Sequence, residues 1–166
     1  MIVRKIDLER DFNACLSARE DAYLCSFGTL SGVEKILSGY QERMETRIND
    51  SRFYYYHVWD KDQIIGQLEF RSCWEGEPTH LLGWQKEETG YLYLIYIIPE
   101  YRGSGAINEL HDFITTTLIR EGCKRVVLSV STTNERAIHF YKKKGWYYLS
   151  PNPKHATTEF WGLTLK

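Results

Sequence analysis

The sequence carries almost no net charge: 21 Lys and Arg stand against 22 Asp and Glu, a formal balance of -1 over 166 residues. No basic footprint for nucleic acid or an anionic membrane surface is written into such a composition. Closely spaced cysteines are missing too. Cys15, Cys25, Cys73 and Cys123 stand far apart with no C-x-x-C pair, which argues against a zinc site or a redox dithiol and predicts reduced, mostly buried thiols and no bound metal. Long apolar runs are also absent. The N-terminus, MIVRKIDLER, has no signal-peptide h-region, and no window is long enough to span a bilayer, so a cytosolic protein is expected. With no internal repeat, low-complexity tract or linker, residues 1–166 are expected to form one domain.

What is present is a regular alternation of strand and helix patterns. Ile2 to Ile6 reads as a first strand, and Asp7 is placed to cap the helix behind it, whose Leu8, Phe12, Cys15, Leu16 and Tyr23 recur at helical spacing. Ser31 and Glu34 have capping-box spacing, and Val33, Ile36, Leu37, Tyr40, Met44 and Ile48 predict a second long helix. Arg52 to Trp59 and Ile64 to Trp74, rich in β-branched and aromatic residues about the turn Asp60-Lys61-Asp62, predict a hairpin. Glu75 to Thr89 reads as a surface loop made acidic by Glu75, Glu77, Glu87 and Glu88. A central strand, a helix carrying Ile107, Leu110, Ile114 and Leu118, a strand from Arg125 to Ser131, a short helix from Asn134 to Lys144 and two final strands complete the chain. The expected order is β-α-α-β-β-β-α-β-α-β-β, an α/β fold.

The stretch from Tyr91 to Arg120 joins a strand to a helix through Pro99, Gly103, Ser104 and Gly105. A junction of that kind presents unpaired backbone N–H groups and the positive end of the helix dipole, which favour an anion such as a phosphate. It is not a Walker A loop, having no G-K-[ST], nor a dinucleotide fingerprint, because Asn108 stands where a third glycine is required. A second constellation follows: Asn134, Ala137, Phe140, Tyr141, Gly145 and Trp146 form N-x-x-A-x-x-F-Y-x-x-x-G-W directly after a strand.

With both motifs, the chain resembles the GNAT superfamily of acyl-coenzyme A dependent N-acetyltransferases. Arg102 and Gly105 match the family's Q/R-x-x-G-x-G/A loop, while Asn134 and Tyr141 match the asparagine and tyrosine of the following helix. One position departs: the family's last Gly/Ala falls on Ile107, with Ala106 one place early, and Ile107 is expected to point into the core with the apolar stripe of its helix. The resemblance implies a mixed, mostly antiparallel sheet flanked by helices, with strands four and five splayed so that the pantetheine arm lies between them. It implies acetyl-coenzyme A as co-substrate, a pyrophosphate cradle at Arg102, Gly103, Ser104, Gly105, Ala106, Ile107 and Asn108, backbone contacts at Ile97 and Ile98, and side-chain contacts from Asn134 and Tyr141.

By the same resemblance, Tyr141 is the general acid at the leaving thiolate. Glu69, mid-strand between Leu68 and Phe70 on the face of Gln67 and Arg71, is the first candidate for the base, against the simpler reading of a carboxylate paired with an arginine. Tyr93, Tyr96, His57 and His80 are further candidates for that role. Lys142, Lys143 and Lys144 read as helix-end cations favoured by the dipole. The acceptor is expected to be a small-molecule amine or a protein or peptide amine, held by the loops Ser26 to Ser31 and Pro151 to Thr157. The alternative is a non-catalytic acyl-coenzyme A sensor or interaction module. The oligomeric state is left open, a homodimer included.

Overall fold

The computed structural model describes residues 1–166. β1 (Ile2–Lys5) leads into α1 (Leu8–Phe27), α2 (Val33–Leu37) and α3 (Tyr40–Arg47), followed by β2 (Phe53–Asp60), β3 (Gln63–Arg71) and α4 (Glu77–Leu82). Then come β4 (Thr89–Ile97), α5 (Ala106–Arg120), β5 (Arg125–Ser131), α6 (Glu135–Lys143), β6 (Tyr147–Pro151) and β7 (Thr158–Thr164). The strands make a seven-stranded sheet in the order β1-β2-β3-β4-β5-β7-β6. It is mixed: β4 runs parallel to β5, whereas β1 with β2, β5 with β7 and β6 with β7 are antiparallel. Parallel neighbours need a crossover, and α5 supplies it.

Two expectations about helices are corrected. The predicted second helix is two pieces, because Gly39 takes φ 71 and ends the run between α2 and α3; that left-handed conformation suits glycine and breaks the helical hydrogen-bond ladder. Its start is Gly32 in the left-handed region, with no side-chain cap, so the Ser31 and Glu34 spacing is not used as a capping box. The acidic middle loop holds α4 and a turn of 3-10 helix at Lys86–Glu88. Pro78 opens α4, where its fixed φ and missing N–H cost nothing.

The chain divides into two compact units, Met1–Phe70 with Leu94–His111, and Arg71–Tyr93 with Asp112–Lys166. In the first, Asp7 caps α1 by accepting from the Arg10 N–H at 3.1 Å. The core there is Ile6, Cys15, Tyr40, Met44 and Tyr55, with Leu8, Phe12 and Leu16 packed against it. The end of β4 is held to β3 by the Ile98 N–H, which donates to the Ile65 carbonyl at 2.9 Å. In the second unit, β7 lies between β5 and β6, in register from Arg125 with Thr164 to Ser131 with Thr158. Leu118 of α5 packs so close to Gly90 that a Cβ there would meet its Cδ2 at 2.9 Å.

Gly66 of β3 gives the sharpest test of packing in the first unit. A Cβ at this position would stand 2.6 Å from the backbone oxygen of Tyr96 and 3.4 Å from the Val58 side chain. Backbone on a paired strand has little room to yield, so Gly66→Ala is expected to lower stability by about 1–3 kcal/mol. Urea unfolding of the two proteins measures this.

Candidate functional site

The turn after β4 is built by its own hydrogen bonds. A turn of 3-10 helix at Pro99–Tyr101 is closed by Tyr101 N–H to Ile98 O at 3.1 Å and Arg102 N–H to Pro99 O at 3.1 Å. Ser104 Oγ then donates back to Tyr101 O at 2.6 Å and accepts from the Ala106 N–H at 3.4 Å. Gly103 and Gly105 have φ 81 and 86, and a Cβ on either would meet nothing within 4 Å. Glycine is therefore required here by backbone conformation and not by space. With the turn in this shape, the N–H groups of Gly103, Gly105 and Ile107 make no hydrogen bond within the protein, and they lie at the N-terminus of a 15-residue helix. Ala106 is buried, Ile107 is half-buried and Asn108 is exposed. Such a cluster of unpaired donors suits an anion with several oxygens.

The Arg102 side chain is engaged by β4 and α1. Its Nε donates to the Ile97 carbonyl at 3.1 Å and its Nη2 to Asp21 Oδ2 at 2.8 Å. The Tyr96 hydroxyl donates to the same oxygen at 2.6 Å, and the guanidinium lies 5.7 Å from the centre of the Tyr96 ring. The Ile98 N–H is committed to the Ile65 carbonyl at 2.9 Å, so of the two backbone contacts expected here it is not free to donate to a ligand.

Glu69, on β3, sits in a buried polar network that no local sequence pattern announces. It is 2% exposed. Oε1 accepts from Arg19 Nη2 at 2.5 Å, and Oε2 accepts from the Tyr40 hydroxyl at 2.7 Å and from Gln67 Nε2 at 2.7 Å. Gln67 Nε2 also donates to the Tyr40 oxygen at 3.0 Å, and its Oε1 faces His57 Nε2 at 2.9 Å. With the proton on His57 Nε2, the hydrogen bonds of this network run from His57 through Gln67 to the Glu69 carboxylate. The arginine-paired arrangement weighed for Glu69 is thus present, with Arg19 as partner; as placed, the carboxylate offers no exposed oxygen to an amine. Burial, with the Glu69 charge behind it, pushes the Tyr40 phenol up and the Cys15 thiol up to about 12, so neither ionises near neutrality. His80, by contrast, is exposed and pairs with Glu75 at 3.3 Å.

In the second unit, Asn134 is the N-cap of α6, accepting from the Ala137 N–H at 3.2 Å. In the last turn of the helix, Tyr141 is half-buried, with its ring 5.6 Å from Phe140 and 5.5 Å from Trp146. Burial alone pushes its phenol up from the ordinary tyrosine range, and its hydroxyl makes no hydrogen bond within the protein. Lys142 and Lys143 close the helix, as the dipole favours, and Lys142 also lies 5.9 Å from the Trp161 ring.

Arg19 and Asp21 are the residues that pattern reading passed over. Arg19 carried a faint signal, a charge at the helical spacing of Phe12, Cys15, Leu16 and Tyr23 on a buried stripe. Asp21 carried none, because its partners are 75 and 81 positions away.

The sequence profile of the Acetyltransferase (GNAT) family matches residues 12–146. Among curated proteins, the chain is 32% identical over 101 residues to N-alpha-acetyltransferase 30 of Schizosaccharomyces pombe, covering 56% of this chain and 62% of that protein. It is 28% identical over 76 residues to the thialysine N-epsilon-acetyltransferase of Mus musculus, covering 46% of this chain and 45% of that one. These matches therefore span less than two thirds of either relative. Among solved structures, the PaiA N-acetyltransferase of Thermoplasma acidophilum, in complex with coenzyme A, aligns with a TM-score of 0.74 at 16% identity over 98% of both chains.

Two predictions follow from the Glu69 network. Glu69→Gln leaves the part-buried Arg19 guanidinium without its carboxylate partner, and is expected to cost about 1–3 kcal/mol in urea unfolding; an unchanged midpoint would mean that the carboxylate is not needed for the fold. Burial also holds the His57 pKa below its ordinary value. The unfolded chain then binds the extra proton first, so stability should fall as pH drops below about 6.5, continuing through the folded pKa. This increment should be missing in His57→Gln.

Proposed function

The chain belongs to the Acetyltransferase (GNAT) family, and from that premise we propose that it moves an acetyl group from acetyl-coenzyme A to a primary amine by direct attack in a ternary complex. The observation that supports this reading is the turn at Gly103 and Gly105, where three unpaired N–H groups and a helix N-terminus fall in the stretch that resembles the family's pyrophosphate loop. A diphosphate has the charge and the oxygens to use them. Family membership runs through segments of both compact units, so we take residues 1–166 as one acyltransferase domain.

In the reaction, the amine nitrogen forms a bond to the thioester carbonyl carbon, the C–S bond breaks, the nitrogen loses a proton and the sulfur gains one. Tyr141 is assigned to the sulfur. An ordinary thiol titrates near about 8.5 and a phenol near about 10. Burial raises Tyr141 further, so it stays protonated and donates a hydrogen bond as thiolate charge develops. Asn134 shapes the start of α6 as its cap, and the resemblance adds a contact to the coenzyme. For Glu69 to take the amine's proton, Arg19 has to release Oε1. An N-alpha-acetyltransferase and a thialysine N-epsilon-acetyltransferase among the relatives support a primary amine, without choosing between a peptide terminus and a small molecule.

The commitment of Glu69 to Arg19 also favours a second reading, a domain that binds acyl-coenzyme A without turning it over. Calorimetry with acetyl-coenzyme A and a thiol-release assay over an amine panel separate the two: binding with turnover is expected, binding without turnover supports the second, and no binding removes both. Tyr141→Phe is expected to lower kcat by about 10²-fold while leaving coenzyme affinity within about twofold, because only the transition state needs the phenolic proton.

A further inference from the structure

We propose that Asp21, on α1, is a positioning residue for the coenzyme loop, acting through Arg102; the assignment rests on the reading just given. The peptide between Ile97 and Ile98 is engaged on both edges. Its N–H is taken by Ile65 O at 2.9 Å, and because the two groups of a peptide point in opposite directions, its C=O faces the edge of β4 away from β3. At that edge the carbonyl accepts from Arg102 Nε at 3.1 Å. Arg102 is the last residue before the glycine turn, so its side chain folds back over the strand from which the turn departs.

A long arginine side chain does not hold that pose unaided, since it gives up rotamer freedom to do so. Asp21 supplies the restraint. One of its oxygens takes Arg102 Nη2 at 2.8 Å and the Tyr96 hydroxyl at 2.6 Å, while the Tyr96 ring lies beneath the guanidinium at 5.7 Å. Side-chain exposure at the ion pair is 20% for Arg102 and 29% for Asp21, low enough for solvent to screen it only in part. The carboxylate thus ties a residue of β4 and a residue of the loop to one point on α1. Two roles follow. The tie presets the angle at which the chain leaves β4, and with it the direction of the Gly103, Gly105 and Ile107 N–H groups. It also occupies the positive charge of Arg102 at a site away from those donors, leaving the anion to the backbone. Preordering of this kind appears in binding affinity, because the loop no longer has to be organised by the ligand.

The test is calorimetric titration of coenzyme A into the whole chain and its variants, with steady-state kinetics on any amine that the wild type acetylates. Asp21→Asn keeps the size and removes the charge. Its Kd for coenzyme A and its KM for acetyl-coenzyme A are expected to rise about tenfold, equivalent to about 1.4 kcal/mol, with kcat within about twofold. Arg102→Met should do the same, and the double variant should be no worse than the weaker-binding single one, because both remove one tie. Tyr96→Phe, which leaves the ion pair, should show a smaller rise. Additive losses in the double variant, or an unchanged Kd in Asp21→Asn, would overturn the assignment. A loss of thermal stability without a change in Kd would do so as well, since it would make the cluster a fold contact only. Failure of the wild type itself to bind coenzyme A would overturn the proposed function, and this assignment with it.

Discussion

The peptide group between Ile97 and Ile98 is the fixed point of the first unit. It is the last piece of β4 with a ladder partner, through Ile65 on β3, and the first to be claimed by a side chain from the turn, through Arg102. Pro99 follows at once, with no N–H to extend the ladder, so the chain must leave the sheet there. The two left-handed glycines then carry the chain into α5 within three residues, with the N–H groups of Gly103, Gly105 and Ile107 left open. Each step constrains the next, which is why a stretch this short can present a defined set of donors.

The second constraint is electrostatic. A carboxylate buried on β3 is tolerable only where its charge is matched and its lone pairs are taken, and Arg19, Tyr40 and Gln67 do both for Glu69. The network draws on α1, α3 and two strands, and so ties these elements together beside the apolar packing among Cys15, Met44 and Tyr55. The same feature limits the chemistry. Both carboxylate oxygens are taken by donors, so one of these has to leave before the group can meet a ligand.

The second unit contributes differently. β5, β7 and β6 form an antiparallel patch, and the short α6 that follows β5 is defined at one end by the Asn134 cap and at the other by Gly145, with φ 92, and the Trp146 N–H returning to Tyr141 O at 3.0 Å. Tyr141 is therefore placed by helix-end geometry, with its hydroxyl uncommitted.

The sequence makes the element types, the strand–turn–helix junction, the Asn134 cap and the family legible, because these depend on contacts between near neighbours: side-chain period, glycine φ and residues three or four apart. It misjudged the helix interrupted at Gly39 and the α4 turn within the acidic loop, where a single left-handed glycine and one proline decide against the average pattern. Tertiary structure alone decided which charges meet. Arg19 with Glu69 and Asp21 with Arg102 are separated by 50 and 81 positions, and the attraction between two charges depends on distance in space, which no local periodicity encodes.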